Sequence, residues 1–553
     1  MSVVSHFVTR AVRVSLSVLC VICAAVPASA ASIRVPAGGD LQAAINAAQG
    51  GDDVLLAPGA VYTGNFRLPA TNVATYITIR TESPALPSPG VRVMPAHAAQ
   101  LAKIKSPNGS AALTTADGAH HWRIENVEFP ATAGGAGEII ALGSGSQTTA
   151  AQIPHDLVFD RVYIHGDPAS GQRRGVALNS GYTEIINSYI ADIKATSVDS
   201  QAICGWNGPG PYVIENNYLE ASGENVMFGG ADPAVWNLVP SDITVRRNVL
   251  SKPAAWMGTN WLVKNLFELK NARRVLVEGN VLENVWKGGQ AGFAVQITPR
   301  NQGGKAPWST VEDVTFRYNV VRHAGSAINI SGWDDLQASG QAQRIQLANN
   351  LFFDIDGPRW GGASGIFVQL GNSPRSITIE RNTVVHSGTV LSVYGTRNGA
   401  PWVVDGLAFR DNLVKHNLYG VKGDALAVGQ QTLAAYFTNL VFERNVLAGG
   451  QANVYPAGNY FPTEAEFMTA FVNIAAEDYT LVQGTPFRTS ASDGGALGAD
   501  VTRVRATIAG AAPAPAPGGT GVSPAGTRPG VTGTAVCRNP LNCPAVNPYS
   551  RPR

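Results

Sequence analysis

Charged side chains are scarce in this chain, and the two signs balance. Only 14% of its 553 residues are Asp, Glu, Lys or Arg, and its mean hydropathy is close to zero at +0.01. Removing Arg10 and Arg13, which precede an apolar segment near the start, leaves 39 basic residues against 39 acidic ones. A neutral chain lacks the attraction that nucleic acids and anionic membranes provide for basic proteins, so we predict that it binds neither.

Long apolar segments are also rare. The one near the start, residues 14–26, follows Arg10 and Arg13 and ends in Ala28-Ser29-Ala30, which is typical of a secretory signal peptide. We predict that residues 1–30 are this signal and that the protein is secreted or periplasmic. No second segment is long enough to span a bilayer, so we predict no transmembrane segment.

Cysteines and several catalytic motifs are few or absent. The sequence has no Cys/His zinc pattern, no P-loop and no G-x-S-x-G. Three of the five cysteines follow the predicted signal. We expect Cys204 to be buried in a strand, whereas Cys537 and Cys543 can close a short disulfide in an exported protein.

An asparagine recurs at a regular interval through most of the chain. It follows an apolar-x-apolar segment and precedes another apolar pair, and neighbouring copies are 31, 32, 39, 31, 32, 30 and 33 residues apart. This period is the signature of a solenoid in which each copy forms one coil. We predict that these asparagines adopt the left-handed conformation at a bend and that their amides stack along one corner. They are Asn217, Asn248, Asn280, Asn319, Asn350, Asn382, Asn412 and Asn445.

Each coil is predicted to consist of short strands. Val, Ile and Phe alternate with polar residues in runs that Gly, Asn or Asp interrupt. About 30 residues are enough for three such strands and three turns. The sequence therefore predicts an all-β fold, a single-stranded right-handed parallel β-helix, with the handedness that parallel crossovers have.

The two ends of the solenoid carry different signals. Asp40 precedes a short amphipathic segment, from Leu41 to Ala48, which predicts an N-terminal capping helix. The β-helix domain is predicted to span residues 31–505. Residues 506–553 are rich in Pro, Ala and Gly and are predicted to be a disordered tail, because they cannot bury enough apolar surface to fold.

One face of the solenoid is predicted to carry a continuous row of polar side chains. In the strand before each asparagine-bearing strand, alternate apolar residues should face the core, so the residues between them should face solvent. Stacked coils bring equivalent side chains to about 4.8 Å from each other. The predicted members are Asn225, Met227, Glu268, Lys270, Gln296, Thr298, Asn329, Ser331 and Gln369.

Long loops are predicted to flank this row and form a groove. Residues 229–242, 298–310 and 332–342 leave one side of the row, and residues 252–261 lie on the opposite side. An indole ring can stack on the apolar face of a sugar. The groove is thus predicted to bind a glycan through tryptophans, which are Trp236, Trp256, Trp261, Trp308 and Trp333.

Two segments resemble a known family. DLQAAINAAQGGDDVLLAPGAVYTG (40–64) resembles the opening of the pectin-lyase-like superfamily of secreted right-handed β-helix proteins, nearest the alginate lyase and chondroitinase B family. ELKNARRVLVEGNVLENV (268–285) resembles the rung that bears that family's catalytic lysine, which implies that Lys270 is the base. The family's arginine position falls near Gln296 here, where the sequence has a neutral amide.

Three functions are compatible with these residues. Elimination from a uronic acid needs a group that neutralises the carboxylate, such as Arg300, and a base, such as Lys270. Glu268, about 7 Å along the same face, should hold Lys270 protonated and oppose that role. The alternatives are hydrolysis by Glu268 with Asp232 or Asp334 and glycan binding without cleavage.

The predicted partner is therefore a polysaccharide, bound by a monomer. Lys270, Glu268 and Arg300 are the predicted catalytic residues. No cofactor is evident, although aspartate-rich loops can bind Ca²⁺, and the sequence identifies no metal ligand. The predicted substrate-binding residues are Asn225, Asp232, Gln296, Asn329, Trp333, Asp334 and Gln369.

Overall fold

Three long parallel sheets form the molecule, for which a computed structural model describes residues 30–424 and 426–511. Sheet A has 15 strands, sheet B has 13 and sheet C has 12, and successive strands visit A, B and C in turn. The predicted all-β fold, a right-handed parallel β-helix, is thus confirmed. The predicted signal up to residue 29, and Cys537 and Cys543, lie outside the described residues.

The strands are short in every sheet. Sheet A contains Ser32–Val35, Asp53–Leu56, Ile77–Thr81, His120–Glu125, His155–Asp160, Gly181–Ile186, Tyr212–Glu215, Ser241–Arg246, Ala272–Glu278, Val311–Arg317, Gln343–Ala348, Arg375–Glu380, Val404–Arg410, Phe437–Thr438 and Val441–Glu443. Sheet B contains Val61–Thr63, Ala102–Lys105, Val127–Phe129, Tyr163–His165, Tyr189–Ile193, Tyr218–Ala221, Val249–Ser251, Val281–Val285, Val320–Ala324, Leu351–Ile355, Thr383–His386, Leu413–Lys415 and Val446–Ala448. Sheet C contains Phe66–Leu68, Leu113–Thr115, Glu138–Leu142, Arg174–Leu178, Gln201–Gly205, Glu224–Phe228, Phe267–Leu269, Phe293–Ile297, Ser326–Ser331, Val368–Gly371, Leu391–Tyr394 and Val421–Gly423.

Helices and antiparallel pairs lie outside the coils. The α-helices are Leu41–Ala47, Gln430–Tyr436, Glu464–Thr469 and Val501–Ile508, and the antiparallel pairs are Thr396–Arg397 with Ala400–Pro401 and Phe471–Asn473 with Asp478–Leu481. Within the described ranges, no helix combines the length and hydropathy that crossing a membrane requires.

The asparagine column runs along the corner between sheets A and B, as predicted. The Asn248 side-chain amide donates to Oδ1 of Asn280 at 3.0 Å, and Asn280 donates in the same way to Asn319. The backbone assignment was wrong, however. The residue before each asparagine has the left-handed conformation, as Arg247 (φ 55°) and Tyr318 (φ 54°) do, because the asparagine itself must point inward to reach its neighbour.

Helices and loops cover the first coil and the outer face of sheet B. The helix Leu41–Ala47 packs its apolar face onto the first coil, and the Asp40 side chain accepts a hydrogen bond from the amide of Ala43 at 2.9 Å. The C-terminal segment packs on the outer face of sheet B. Regular structure continues past residue 505, where the tail was predicted to begin, because Val504 and Ala511 are buried against that face.

Candidate functional site

The outer face of sheet C brings four predicted row residues into one register. Glu268 pairs with Gln296, Gln296 with Asn329, and Asn329 with Gln369 on successive strands. The adjacent Phe267 lies in the core, so alternation turns the row outward at this point. Side chains that are about 100 residues apart in the sequence are thereby stacked in a single line.

Much of this row is occupied by its own hydrogen bonds. The Asn329 amide donates to Oε1 of Gln296 at 2.7 Å, and the Gln369 amide donates to Oδ1 of Asn329 at 3.1 Å. Gln296 and Asn329 are buried, whereas Gln369 is half-buried. The amides therefore form an ordered floor, and Gln369 is the member most open to a ligand.

Charge is concentrated at the Glu268 end of the row. The Glu268 carboxylate is buried, lies 3.4 Å from the ammonium nitrogen of Lys270, and accepts a hydrogen bond from the Asn265 amide at 3.0 Å. Glu268 and Lys270 were predicted from the sequence, whereas Asn265 was not. The structure brings all three together on the outside of the sheet.

A second carboxylate and a second lysine complete this charged cluster. Glu224, fully buried on the preceding strand, lies next to Glu268 and 3.3 Å from the ammonium nitrogen of Lys264. Lys264 also pairs with Asp199 at 2.6 Å, and Gln201 donates to Glu224 at 2.9 Å. We use the name charged cluster for Glu224, Lys264, Glu268 and Lys270.

Electrostatics in the charged cluster keep Glu268 and the two lysines ionised. Burial favours the neutral form of Glu268, but the Lys270 ammonium and the Asn265 amide outweigh it and lower the pKa of Glu268. Burial likewise opposes the charge on Lys270, but Glu268 and Glu224 raise its pKa overall. At neutral pH, Lys270 is therefore an ammonium, and it becomes a base only as the pH rises.

Glu224, Lys264 and Asp199 were not predicted from the sequence. Glu224 directly precedes the predicted strand residue Asn225, so it offered a signal, but simple alternation assigned it to the core. Lys264 and Asp199 lie in connections between strands, and only the stacking of coils brings them together. No local sequence pattern predicts the contact between Lys264 and Asp199.

Asn225 does not belong to the outer row. Its side chain is fully buried, and its amide donates to the carbonyls of Leu219 and Ser251 at 2.7 and 2.8 Å. Two consecutive residues point inward where sheet C begins, as Ala202 and Ile203 do in the preceding coil. This irregularity reverses the alternation on which the prediction was based.

Arg300 lies in a flanking loop and pairs with acidic residues of the next loop. Its guanidinium is 2.8 Å from Asp334 and also contacts Asp335. The other oxygen of Asp334 accepts from the amide of Asn301 at 2.9 Å. Arg300 and Asp334 thus join two loops beside the row. The backbone amide of Arg300 donates to the carbonyl of Lys270 at 2.8 Å, but its guanidinium pairs with Asp334 and Asp335 and not with Glu268.

The remaining predicted residues lie along these loops. Asp232 accepts from the amides of Gly303 and Lys305, both at 2.9 Å, and so joins the first loop to the second. Trp236, 77% exposed, packs edge-on against Trp308 with ring centroids 4.5 Å apart. Trp333 is half-buried in the third loop. The loops form one wall beside sheet C, with an exposed indole at its edge.

The opposite wall uses its tryptophans differently. Trp256 and Trp261 enclose the ammonium of Lys194, which lies 5.0 and 5.1 Å from the two ring centroids. Lys194 also pairs with Asp192 at 2.6 Å. Because Trp256 and Trp261 contact a lysine of the protein itself, the structure does not support the predicted stacking of these two indoles on a sugar.

No metal-binding group is evident at these positions. Within residues 30–424 and 426–511, no set of three or more His, Cys, Asp or Glu side chains is arranged to hold a metal ion. Asp232 accepts from two loop amides, and Asp334 pairs with Arg300 and accepts from the amide of Asn301. Cys204 is buried as predicted, and burial raises the pKa of its thiol to about 11.

The three-sheet coil is the right-handed parallel β-helix that the sequence resemblance implied. No protein-family model matches the chain, and no curated protein matches it either.

Solved structures of similar shape include two lyases and a glucanase. The PL6 family alginate lyase AlyGC is 14% identical with a TM-score of 0.47, over 78% of this chain and 53% of its own. The GH87 alpha-1,3-glucanase of Streptomyces thermodiastaticus strain HF3-3 is 13% identical with a TM-score of 0.46, over 79% and 70%. Pectate lyase Pel9A is 12% identical with a TM-score of 0.30, over 84% and 92%. This chain thus spans about half the length of AlyGC, and the likeness concerns the fold alone.

Proposed function

We propose that this protein cleaves an acidic polysaccharide by β-elimination on the outer face of sheet C. The observation that carries the proposal is the charged cluster, in which two lysines and two buried carboxylates lie beside the uncharged row members Gln296, Asn329 and Gln369. Charges that are held in a partly dry site interact more strongly with a charged ligand than charges in water do. A uronate polymer lying along the row would meet them.

Elimination assigns a separate task to each lysine. The neutral amine of Lys270 removes the proton next to the sugar carboxylate, and that electron pair forms a carbon–carbon double bond as the glycosidic oxygen leaves. The leaving oxygen takes a proton from water. Burial lowers the pKa of Lys264, but the negative charges of Glu224 and Asp199 raise it by more, so its pKa is raised overall. Lys264 therefore stays an ammonium and neutralises the sugar carboxylate.

Hydrolysis is the second candidate, and the proximity of Glu224 to Glu268 favours it. A hydrolase needs one protonated carboxylic acid and one carboxylate. The lowered pKa of Glu268 opposes its use as the acid. Asp232 and Asp334, the partners suggested by the sequence, bind loop amides and Arg300 instead. The arrangement therefore supports elimination better than hydrolysis.

Glycan binding without cleavage is the third candidate. The exposed Trp236 and the polar row favour it, since both offer a surface to a sugar chain. Export, predicted from residues 1–30, would bring any of these three activities to glycans outside the cytoplasm, and we retain the monomer as part of the proposal.

The product distinguishes these candidates. The full chain would be incubated with alginate, polygalacturonate, glycosaminoglycans and neutral glycans, with ultraviolet absorbance and reducing ends measured together. Elimination gives both signals, hydrolysis gives reducing ends alone, and a binding protein gives neither. Lys270→Met should abolish elimination, whereas Lys105→Met, at an exposed position in sheet B, should leave it unchanged. Full turnover by Lys270→Met would contradict the assignment.

A further inference from the structure

A cavity of about 530 Å³ opens on the outer face of sheet C near its C-terminal end. Ser392 and Lys422 line it from the sheet, while Pro358, Leu418 and Tyr419 line it from the connections that enter the sheet. The cavity lies away from the charged cluster, and none of its residues takes part in the reaction proposed above.

The cavity continues the same row of side chains. Gln369 pairs with Ser392, and Ser392 pairs with Lys422, on successive strands. Five rungs thus separate Glu268 from Lys422, which corresponds to roughly 24 Å at about 4.8 Å per rung. A single sugar cannot span this distance, but an extended glycan that occupies the charged cluster can reach the cavity along the row.

Lys422 supplies an unpaired positive charge there. Its ammonium nitrogen lies 4.0 Å from the centroid of the Tyr419 ring. It makes no ion pair with any residue in the described ranges 30–424 and 426–511. Its neighbours on the row, Ser392 and Gln369, are uncharged. An incoming carboxylate would therefore find a cation that the protein has not already neutralised.

The rest of the lining suits a sugar ring. Tyr419 is 40% exposed and Leu418 is 76% exposed, so both offer apolar surface. The hydroxyls of Thr389 and Ser392 make no hydrogen bond to any described residue, and both can pair with sugar hydroxyls. Asp424 also lines the cavity and can accept hydrogen bonds from those hydroxyls. A uronate offers both a carboxylate for Lys422 and hydroxyl donors for Asp424.

We propose that this cavity is a distal subsite that binds one uronate residue of an acidic polysaccharide, with the carboxylate on Lys422 and the ring against Tyr419. This inference rests on the proposed function in one respect, which is that the glycan lies along the row. The subsite would give the protein a preference for long chains, because only a glycan that reaches from the charged cluster to the cavity gains affinity from it.

Chain length and charge provide the test. Binding of alginate and polygalacturonate, as polymers and as trisaccharides, would be measured calorimetrically with the full chain. Lys422→Gln and Tyr419→Ala should each weaken polymer binding by roughly tenfold and leave trisaccharide binding unchanged. Lys422→Arg, which keeps the charge, should retain most of the affinity, and binding of a neutral glycan should not respond to Lys422→Gln.

Each outcome separates this proposal from the proposed function. Weaker polymer binding by Lys422→Gln without ultraviolet product in the wild type supports the subsite and overturns elimination. Ultraviolet product with unchanged polymer KM in both variants supports elimination and overturns the subsite. An equal loss of affinity for the polymer and the trisaccharide also overturns the subsite, because a trisaccharide bound at the charged cluster is too short to reach the cavity. If the wild type binds neither acidic polymer, both proposals are wrong.

Discussion

The ammonium nitrogen of Lys252 lies 3.0 Å from Oδ1 of Asn225, inside the solenoid and shielded from solvent. The carbonyls of Ala221, Gly223 and Asn265 also accept from it, at 2.7, 2.8 and 3.0 Å. Because the Asn265 side chain in turn binds Glu268, the buried lysine supports the connection that carries part of the site.

Replacing Lys252 should therefore destabilise the fold. Lys252→Met leaves four buried oxygens without their donor, and we expect a loss of about 3 kcal/mol in the free energy of unfolding, measured by urea denaturation. Asn225→Leu should also destabilise, because the carbonyls of Leu219 and Ser251 lose their donor, but the loss in the double variant should be smaller than the sum of the two single losses, since the Lys252–Asn225 contact is lost only once. A single variant as stable as the wild type would show that the four contacts contribute nothing.

Lys252 should also make stability depend on pH. Burial lowers its pKa from 10.5 to about 7 in the folded protein. Between these values the unfolded chain binds more protons than the folded one, so the free energy of unfolding rises with pH in that window. The wild type should gain stability relative to Lys252→Met from about pH 7 toward pH 10. A constant difference would mean that the four oxygens keep the ammonium charged when folded.

Much of the fold was predictable because it repeats. The recurrence of an asparagine such as Asn248, Asn280 and Asn319 predicted the coil, the corner and the stacked amides, since a stacked column needs one asparagine in each coil even where the coils differ in length. The left-handed residue was misplaced by one position. Either the asparagine or the residue before it can adopt the left-handed conformation at the bend. The inward hydrogen bonds between asparagines decide which of the two side chains joins the column.

The column provides its own stability test. In Asn319→Ala, the backbone amide and side chain of Asn280 lose their acceptor and the carbonyl of Val277 loses its donor. We expect a loss of about 3 kcal/mol, because all of these groups are buried. Asn459→Ala, at the half-buried end of the column, should cost less than about 1 kcal/mol, because water replaces the lost contacts. Equal losses at both positions would contradict this account.

The site was less predictable than the fold. Alternation identified Glu268, Gln296 and Asn329 correctly as neighbours on one row, because the strands are regular there. It failed at Asn225, where two inward residues follow each other, and it gave no information on Lys264. Contacts between the loops that connect the strands depend on how the coils stack, and no local sequence pattern predicts that stacking.

Arg300 should act on the loops and not on the reaction. Its pairs with Asp334 and Asp335 join two flanking loops, so Arg300→Gln should raise KM for a polymer about threefold to tenfold while kcat stays within about twofold. The matched control is Arg344→Gln, which breaks exposed pairs on sheet A and should change neither constant. A collapse of kcat with normal KM would make Arg300 catalytic.

The Glu268–Lys270 pair should set the pH range of any elimination. Glu268 raises the pKa of Lys270 against the effect of burial, so the wild-type rate should rise toward alkaline pH as the amine loses its proton. Glu268→Gln removes that negative charge and should move the rising limb of kcat/KM to lower pH. Glu312→Gln, in an ion pair on sheet A, should leave the profile in place. A profile that is identical in Glu268→Gln and the wild type would exclude Lys270 as the base.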